Sequence, residues 1–147
     1  MPAKNILYIG DNAGETVFDR ILMEYIQNQH GKKNIFYAVK EKPTSNDAMI
    51  QDALECGIDG PAEIISSGSG ISGTVLSVCS PRFLELFKSA DMIISKGQGN
   101  YEGLSGVKRK VFFLLSVKCA VIADHIGCNI GDHVLIKHGK KLKKADI

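Results

Sequence analysis

The sequence lacks any long hydrophobic stretch. Its longest unbroken apolar runs, residues 35–39 and 111–115 among them, contain five residues, whereas a membrane-spanning helix needs about 20. The first residues also lack the apolar core and the small-residue cleavage site of a secretory leader. These absences predict a cytoplasmic protein with no membrane partner.

Cysteine is scarce, with four residues in 147, and no two of them form a C-x-x-C pair. This pattern excludes a disulfide framework and predicts reduced, mostly buried thiols. The chain has no internal repeat and no low-complexity segment. Hydrophobic residues make up 44% of it and charged residues 23%, which is the composition of a globular domain and excludes disordered and fibrous classes.

Basic residues outnumber acidic residues only at the C-terminal end of the chain. The formal net charge is +2, but residues 137–147 contain five lysines and one aspartate, a net +4, so residues 1–136 carry −2. We therefore expect no nucleic-acid partner. The length and the charge distribution predict a single domain over residues 1–137, of the α/β class by the pattern described next, and a basic C-terminal tail over residues 138–147.

Short apolar runs alternate with helical patterns along the chain. Six strands are predicted, at Asn5–Gly10, Asn34–Val39, Glu63–Ser66, Asp91–Ser95, Val111–Leu115 and Asp132–Lys137. Helices are predicted over Glu15–His30, from Ser45 or Asn46 to Cys56, from Ser80 to Ala90, and over Cys119–Ile126. The inward face of the first helix is expected to carry Phe18, Ile21, Leu22, Tyr25 and Ile26. This alternation predicts a three-layer α/β/α, Rossmann-like fold with a mainly parallel sheet and a central first strand.

Oxygen-bearing side chains follow the first two strands. Asp11 and Asn12 lie in the loop after the first strand, and Asp47 lies after the second. Because ligands bind beyond the carboxyl ends of parallel strands, these side chains are expected to meet there. Their oxygens suit Mg²⁺ or Mn²⁺. Asp11 and Asn12 suit a helix terminus equally well, and Asp47 taken alone suits it better, so both interpretations stay open.

The loop after the third strand, Gly68–Gly73, formally matches G-x-G-x-x-G. A dinucleotide fingerprint belongs after the first strand, with an acidic residue at the end of the next one. Here Asp91 stands at the start of the next strand. The pattern therefore favours a loop that holds phosphate, or a tight turn without a ligand, over an NAD site.

A lysine next to a glycine follows the fourth predicted strand. Lys96 precedes Gly97 and would bring an ammonium group to the edge that carries Asp11. A cation and a divalent metal on one phosphoryl group stabilise phosphoryl transfer. The alternative is an ordinary solvated lysine.

These four loops together resemble the domain of unknown function 89 family, the metal-dependent damage-control phosphatases, and in particular the α/β half of its prokaryotic and archaeal subgroup. The matching segments are ILYIGDNAGE (6–15), SNDAM (45–49), SSGSGISGT (66–74) and ISKGQGNYE (94–102). The resemblance implies hydrolysis of phosphate monoesters of small metabolites, such as sugar phosphates or damaged phosphometabolites. It implies Mn, Co, Ni or Mg as the divalent cofactor.

By position, the resemblance makes Asp11, Asn12 and Asp47 the metal ligands. It gives Asp11, Asn12 and Lys96 the catalytic roles, with Lys96 on the phosphate. The remaining residues that it assigns to substrate and phosphate binding are Gly14, Glu15, Gly68, Ser69, Gly70, Gly97 and Asn100.

In one respect the chain departs from the family, whose members usually carry a helical portion before the first strand. We therefore expect an exposed apolar surface, covered in a homo-oligomer or by a separate helical partner chain. Two other functions stay open at this point. One is a non-catalytic module that binds a phosphometabolite, and the other is an enzyme that uses NAD or S-adenosylmethionine.

Overall fold

The computed structural model describes residues 2–142, which form one six-stranded sheet in the order β3-β2-β1-β4-β5-β6. Every neighbouring pair is parallel except β5 and β6, which are antiparallel. The strands are β1 Asn5–Ile9, β2 Asn34–Val39, β3 Glu63–Ser66, β4 Met92–Lys96, β5 Val111–Ser116 and β6 His133–Lys137. The predicted strands and the internal position of β1 are confirmed. The observed strand ends differ from the predicted ends by at most one residue.

Five α-helices cover both faces of the sheet, so the predicted three-layer α/β fold is confirmed. They are α1 Thr16–His30, α2 Ile50–Glu55, α3 Pro81–Ser89, α4 Gln98–Leu104 and α5 Ala120–Ile126, and short 3₁₀ turns occupy Ala13–Glu15 and Leu76–Val78. Successive strand residues point to opposite faces. Ile6 and Tyr8 therefore pack with α1 and α2, and Leu7 and Ile9 pack with α3, α4 and α5.

The start of the second helix differs from the prediction. It begins at Ile50 rather than at Ser45 or Asn46, because the backbone of residues 46–48 pairs with the loop after β1 instead of turning into a helix. Asp52 caps the helix by accepting a hydrogen bond from the Met49 N–H at 2.8 Å. By contrast, the predicted cap of α3 is confirmed, since Ser80 Oγ accepts from the Phe83 N–H at 3.2 Å.

Helix α4 was not predicted, because the sequence after β4 contains two glycines that lower helix propensity. Of the two glycines inside α4, Gly103 is required by close approach to the Gly-rich loop after β3. A Cβ on Gly103 would lie 2.1 Å from the Thr74 carbonyl oxygen, and Gly99 packs against Gly73. Tertiary contact therefore outweighs local propensity here.

The orientation of α1 also corrects the prediction. Leu22 and Ile26 face inward as predicted and pack, partly buried, against the core, but Phe18 is 67% exposed, and Ile21 and Tyr25 are exposed as well. The buried positions are instead Thr16, Asp19 and Met23. The helix is rotated because its buried face carries a carboxylate, Asp19, that is bonded to groups of the sheet.

The first residues of the segment predicted as a tail stay in contact with the domain. His138 N–H donates to the Val111 carbonyl at 2.7 Å, and Leu142 N–H donates to the Ile126 carbonyl at 2.8 Å. Residues 143–147 of that segment lie outside the described residues. Within residues 2–142, no helix is both long enough and apolar enough to cross a membrane.

Gly103→Ala should lower the free energy of unfolding by about 1–3 kcal/mol, because its Cβ meets a backbone oxygen that cannot rotate away. Gly106→Ala is the matched control, since a Cβ there meets nothing within 4 Å. Chemical denaturation of both variants checks this. Equal stability of the two variants would contradict the close packing of α4 on the Gly-rich loop.

Candidate functional site

Two loops that carry predicted metal ligands are joined by their backbones. Asn12 and Asp47 form an isolated antiparallel bridge. The Ala13 N–H donates to the Asn46 carbonyl at 2.8 Å, and the Ala48 N–H donates to the Asp11 carbonyl at 2.7 Å. Asp11, Asn12 and Asp47 are therefore held together at the carboxyl ends of β1 and β2, as the sequence predicts.

The loop after β4 packs directly against the Asp11 carboxylate. A Cβ on Gly97 would lie 2.1 Å from Asp11 Oδ2, and the residue has φ +88°. Any side chain here would both strain the backbone and fill the space of the carboxylate. Gly97 thus brings the Lys96 loop against the first metal-ligand candidate.

Asp11 lies in a cluster of negative charge. Burial, followed by the charges of Glu15 and Asp47, raises the pKa of Asp11 to about 6, whereas Lys118 and Lys96 oppose the rise. Burial also raises the pKa of Asp47, although Lys40 and Lys118 oppose it. Carboxylates that repel one another in a partly buried site are stabilised by a bound cation.

The donor set fits a hard divalent cation. Asn12 Nδ2 donates to Glu15 Oε1 at 3.1 Å, which leaves the Asn12 amide oxygen as an acceptor beside the two aspartates. Two carboxylates and an amide oxygen suit Mg²⁺ or Mn²⁺. No group of three or more His, Cys, Asp or Glu side chains suited to a metal occurs among residues 2–142, so a metal site here would have to include the amide oxygen of Asn12.

Lys96 is fixed by two carboxylates. Its Nζ lies 2.9 Å from Glu15 Oε2 and 2.9 Å from Asp19 Oδ1. Burial alone would lower the pKa of Lys96, but Asp19 and Glu15 raise it above its ordinary value through charge and hydrogen bonds. Lys96 is therefore a permanently charged, oriented group rather than a solvated surface lysine.

Asp19, which the sequence analysis missed, is the buried anchor of this arrangement at 1% exposure. Tyr8 donates to its Oδ1 at 2.6 Å and Tyr37 donates to its Oδ2 at 2.7 Å. Burial, followed by the charge of Asp19, raises the pKa of both phenols, so both remain donors. The signal was present in the sequence: Asn-Ile-x-Tyr occurs in both β1 and β2, and Tyr8 pairs with Tyr37 in the register.

A second lysine that the sequence analysis did not identify lies close to Asp47. Lys40 follows β2, and its Nζ donates to the Gly73 carbonyl and lies 4.0 Å from Asp47 Oδ2. Burial lowers the pKa of Lys40, although Asp47 opposes the shift. Lys40 thereby links the Asp47 loop to the Gly-rich loop after β3.

A cavity of about 480 Å³ opens beside Asp11 and Lys96, and its lining does not include Asn12, Asp47 or Lys40. Four of its lining residues are predicted site residues, namely Asp11, Glu15, Lys96 and Gly97. The exposed Phe18 of α1 forms one wall. Lys118 also lines the cavity, as do Ser116 and His133, whose Oγ and Nδ1 atoms lie 2.7 Å apart. The cavity is large enough for a small metabolite.

Other predicted phosphate-binding residues do not line this cavity. Gly68 packs against Ser80, Gly70 packs against Lys42, and Ser69 is buried. Gly14 lies in the 3₁₀ turn before α1. A direct contact of these four residues with phosphate stays a prediction.

Asn100 is buried and has a supporting role. Its Nδ2 donates to the Lys96 carbonyl at 2.7 Å and to the Gly10 carbonyl at 3.1 Å, while its Oδ1 accepts from Thr74 Oγ1 at 2.8 Å. Asn100 therefore joins the ends of β1 and β4 to the Gly-rich loop.

Tyr37→Phe should lower the free energy of unfolding by about 1–3 kcal/mol, because it leaves one oxygen of buried Asp19 without this donor. Tyr25→Phe, on the exposed face of α1, should change it by less than about 0.5 kcal/mol. Urea unfolding compares the two. A neutral Tyr37→Phe would show that the phenol contributes nothing to holding Asp19.

Asp11→Asn should stabilise the metal-free domain at pH 7 by about 1 kcal/mol, a value reduced by solvent screening of the partly exposed carboxylate. The folded-state pKa lies above the ordinary value, so the native state binds the extra proton between about pH 4 and 6. The wild type should therefore gain stability relative to the variant as the pH falls through 6.

Thermal unfolding in chelator against pH measures this difference. Added Mn²⁺ should reverse the order at pH 7, because only the wild type gains from binding. A wild type that is more stable than Asp11→Asn in chelator at pH 7 would contradict the charge repulsion.

Comparison with known proteins identifies the family of this chain. Residues 1–134 match the damage-control phosphatase ARMT1-like domain. The chain is 48% identical over 138 residues to an uncharacterized protein of Methanocaldococcus jannaschii, covering 91% of this chain and 45% of that protein. It is 41% identical over 141 residues to a damage-control phosphatase of Pyrococcus horikoshii, covering 95% of this chain and 49% of that protein.

A third relative is a damage-control phosphatase of Archaeoglobus fulgidus, 37% identical over 131 residues, which cover 88% of this chain and 45% of that protein. The crystal structure of a DUF89 family protein from Pyrococcus horikoshii superposes with a TM-score of 0.88 at 41% identity, over 92% of this chain and 48% of that one. The chain thus spans about half the length of these relatives. It belongs to the damage-control phosphatase ARMT1-like (DUF89) domain family.

Proposed function

We propose that this chain carries the metal- and phosphate-binding half of a metal-dependent phosphatase. Its substrates would be phosphate monoesters of small metabolites, such as sugar phosphates or damaged phosphometabolites. The observation that carries the proposal is the meeting of Asp11, Asn12 and Asp47 with Lys96 at one edge of the sheet, beside a cavity of about 480 Å³. The names of the relatives from Pyrococcus and Archaeoglobus support it.

Asp11, Asn12 and Asp47 would hold one divalent ion, Mn, Co, Ni or Mg. When bound, such an ion polarises a phosphoryl oxygen and lowers the pKa of a coordinated water. The backbone bridge between the two ligand loops holds the three side chains together before any ion arrives. Asn12 is oriented by Glu15, so that its amide oxygen stays available.

Lys96 would bind a phosphoryl oxygen of the substrate. An ammonium group has three N–H donors, and Glu15 and Asp19 accept from it at 2.9 Å each. One donor therefore remains for a ligand in the cavity. Because Asp19 and Glu15 fix the Nζ atom, the lysine would meet developing charge on the phosphoryl group without reorganisation.

We propose that the exposed face of α1 is covered in the working enzyme, either in a homo-oligomer or by a separate helical chain. Val17, Phe18, Ile21 and Tyr25 form an exposed apolar face, and Phe18 also lines the cavity. A chain that packs here would complete the wall of the substrate site. We propose a cytoplasmic setting, which suits a chain with four cysteines and no C-x-x-C pair.

Hydrolysis of para-nitrophenyl phosphate tests the function. The wild type should turn over this ester with Mn²⁺, Co²⁺, Ni²⁺ or Mg²⁺ and lose activity in chelator. Asp47→Asn should lose most of it, whereas Lys88→Ala, an exposed lysine on α3, should not. Binding of metal and phosphate without turnover, even with an added helical partner chain, would instead favour the non-catalytic module. Calorimetric binding of NAD or S-adenosylmethionine would favour a cofactor enzyme.

The role of Lys96 needs a variant that separates chemistry from folding. Lys96→Met removes the ammonium and leaves buried Asp19 unpaired, which destabilises the fold. The double variant Lys96→Met/Asp19→Asn removes both charges and should recover stability. Both variants should lose roughly 10²–10³-fold in turnover. A double variant with wild-type turnover would show that Lys96 acts only in folding.

A further inference from the structure

The floor of the cavity consists of two rows of side chains that cross neighbouring strands. In the first row, Lys96 of β4 pairs with Leu114 of β5, and Leu114 pairs with Leu135 of β6. In the next row along β5, Ser116 pairs with His133 of β6. All five residues line the cavity, and residues two apart on a strand point to the same face of the sheet. The cavity therefore has a charged end at Lys96 and a second polar end at the Ser116–His133 pair.

The backbone around the Ser116–His133 pair is fixed on both sides. The two residues are the last ladder pair of β5 and β6. Just beyond them, the Val117 N–H donates to the Asp132 carbonyl at 2.9 Å, and the Gly131 N–H donates to the Val117 carbonyl at 2.7 Å. These bonds continue the pairing of the two chain segments past the end of the strands. Both side chains are therefore presented to the cavity by an ordered backbone.

The pair keeps hydrogen-bonding capacity for a ligand. Ser116 Oγ and His133 Nδ1 lie 2.7 Å apart, and this bond orients the imidazole ring. The second ring nitrogen of His133, Nε2, has no hydrogen-bond partner within residues 2–142, and the residue is exposed. A hydroxyl group both donates and accepts, so it can complement Nε2 in either tautomer of the ring. The pair is thus suited to a hydroxyl group inside the cavity.

The separation of the two polar ends suits the organic part of a small phosphate ester. Neighbouring strands lie about 4.8 Å apart and two residues along a strand span about 6.7 Å, so the Cα atoms of Lys96 and Ser116 are roughly 8 Å apart. Between the two ends the floor is apolar, with Leu114 and Leu135. A phosphoryl group bound at Lys96 would therefore place the carbon skeleton over the leucines and its far polar groups beside His133.

We propose that Ser116 and His133 form the subsite for the organic part of the substrate, and that His133 Nε2 forms a hydrogen bond with a hydroxyl group of that part. This inference rests on the proposed function and identifies residues that select among phosphate esters. His133 is the binding residue, and Ser116 is a positioning residue that orients its ring. An alkyl or aryl ester of the same size gains nothing from the pair, because it offers no hydroxyl group.

Calorimetric binding with Mn²⁺ present tests the inference with two probes whose carbon–phosphorus bond is not hydrolysed. One is a hydroxylated phosphonate, the 6-phosphonate analogue of glucose 6-phosphate, and the other is phenylphosphonate, which has no hydroxyl group on its ring. His133→Ala should raise the Kd of the sugar phosphonate about five- to tenfold, the effect of losing one hydrogen bond. The Kd of phenylphosphonate should stay within about twofold of the wild type, because only the phosphoryl end of the site holds it.

Two further variants separate binding by the ring from its orientation. His133→Gln carries an amide that can take the place of Nε2 and should recover part of the lost affinity for the sugar phosphonate. Ser116→Ala keeps the imidazole but removes the bond that orients it, so it should raise the same Kd by a smaller factor, about two- to threefold. Neither variant should change the binding of phenylphosphonate.

The matched control is His30→Ala, which removes an exposed histidine at the end of α1 and should change neither Kd. The inference is overturned if His133→Ala binds the sugar phosphonate like the wild type, if it weakens both probes equally, or if the wild type binds neither probe. A wild type that binds the sugar phosphonate through His133 but hydrolyses no ester removes the proposed reaction and leaves this subsite in place.

Discussion

The contact between Lys96 and Asp19 connects the parts of this protein that carry its chemistry. Asp19 comes from the first helix, Lys96 from the end of β4, and the two phenols that bond Asp19 come from β1 and β2. A buried carboxylate needs a cation and donors around it, since an unpaired buried charge is strongly destabilising. The rotation of α1, the tyrosine pair of the sheet and the fixed position of Lys96 all follow from that one requirement.

The same requirement explains why the first helix presents an apolar face to solvent. A helix has one inward face, and Asp19 and Thr16 occupy it together with Met23. Phe18 is then turned toward the cavity, and Ile21 and Tyr25 are exposed to solvent. The polar interior of the site and the apolar exterior of the helix are thus two results of a single orientation.

The sequence predicted the loops better than the helix faces. The rule that ligands bind beyond the carboxyl ends of parallel strands was enough to group Asp11, Asn12 and Asp47 with Lys96. It could not reveal Asp19, because periodicity assigns hydrophobic residues to the inside and places this carboxylate outside. Lys40 and Lys118 were missed since neither lies in a glycine-rich motif. Helix α4 was missed because its glycines serve contacts with a loop that is distant in the sequence.

The order of the strands has a consequence for how the site is assembled during folding. β1 lies between β2 and β4, and the backbone of Asn5 bonds to the side chain of Asp91, 86 residues later. The metal-ligand candidates all lie within the first 47 residues and meet through local pairing of β1 and β2. Lys96 is 77 positions from Asp19 and arrives only when β4 adds to the open edge of β1. Because contacts of such long sequence separation form slowly, a nascent chain would bring Asp11, Asn12 and Asp47 together before Lys96 joins them.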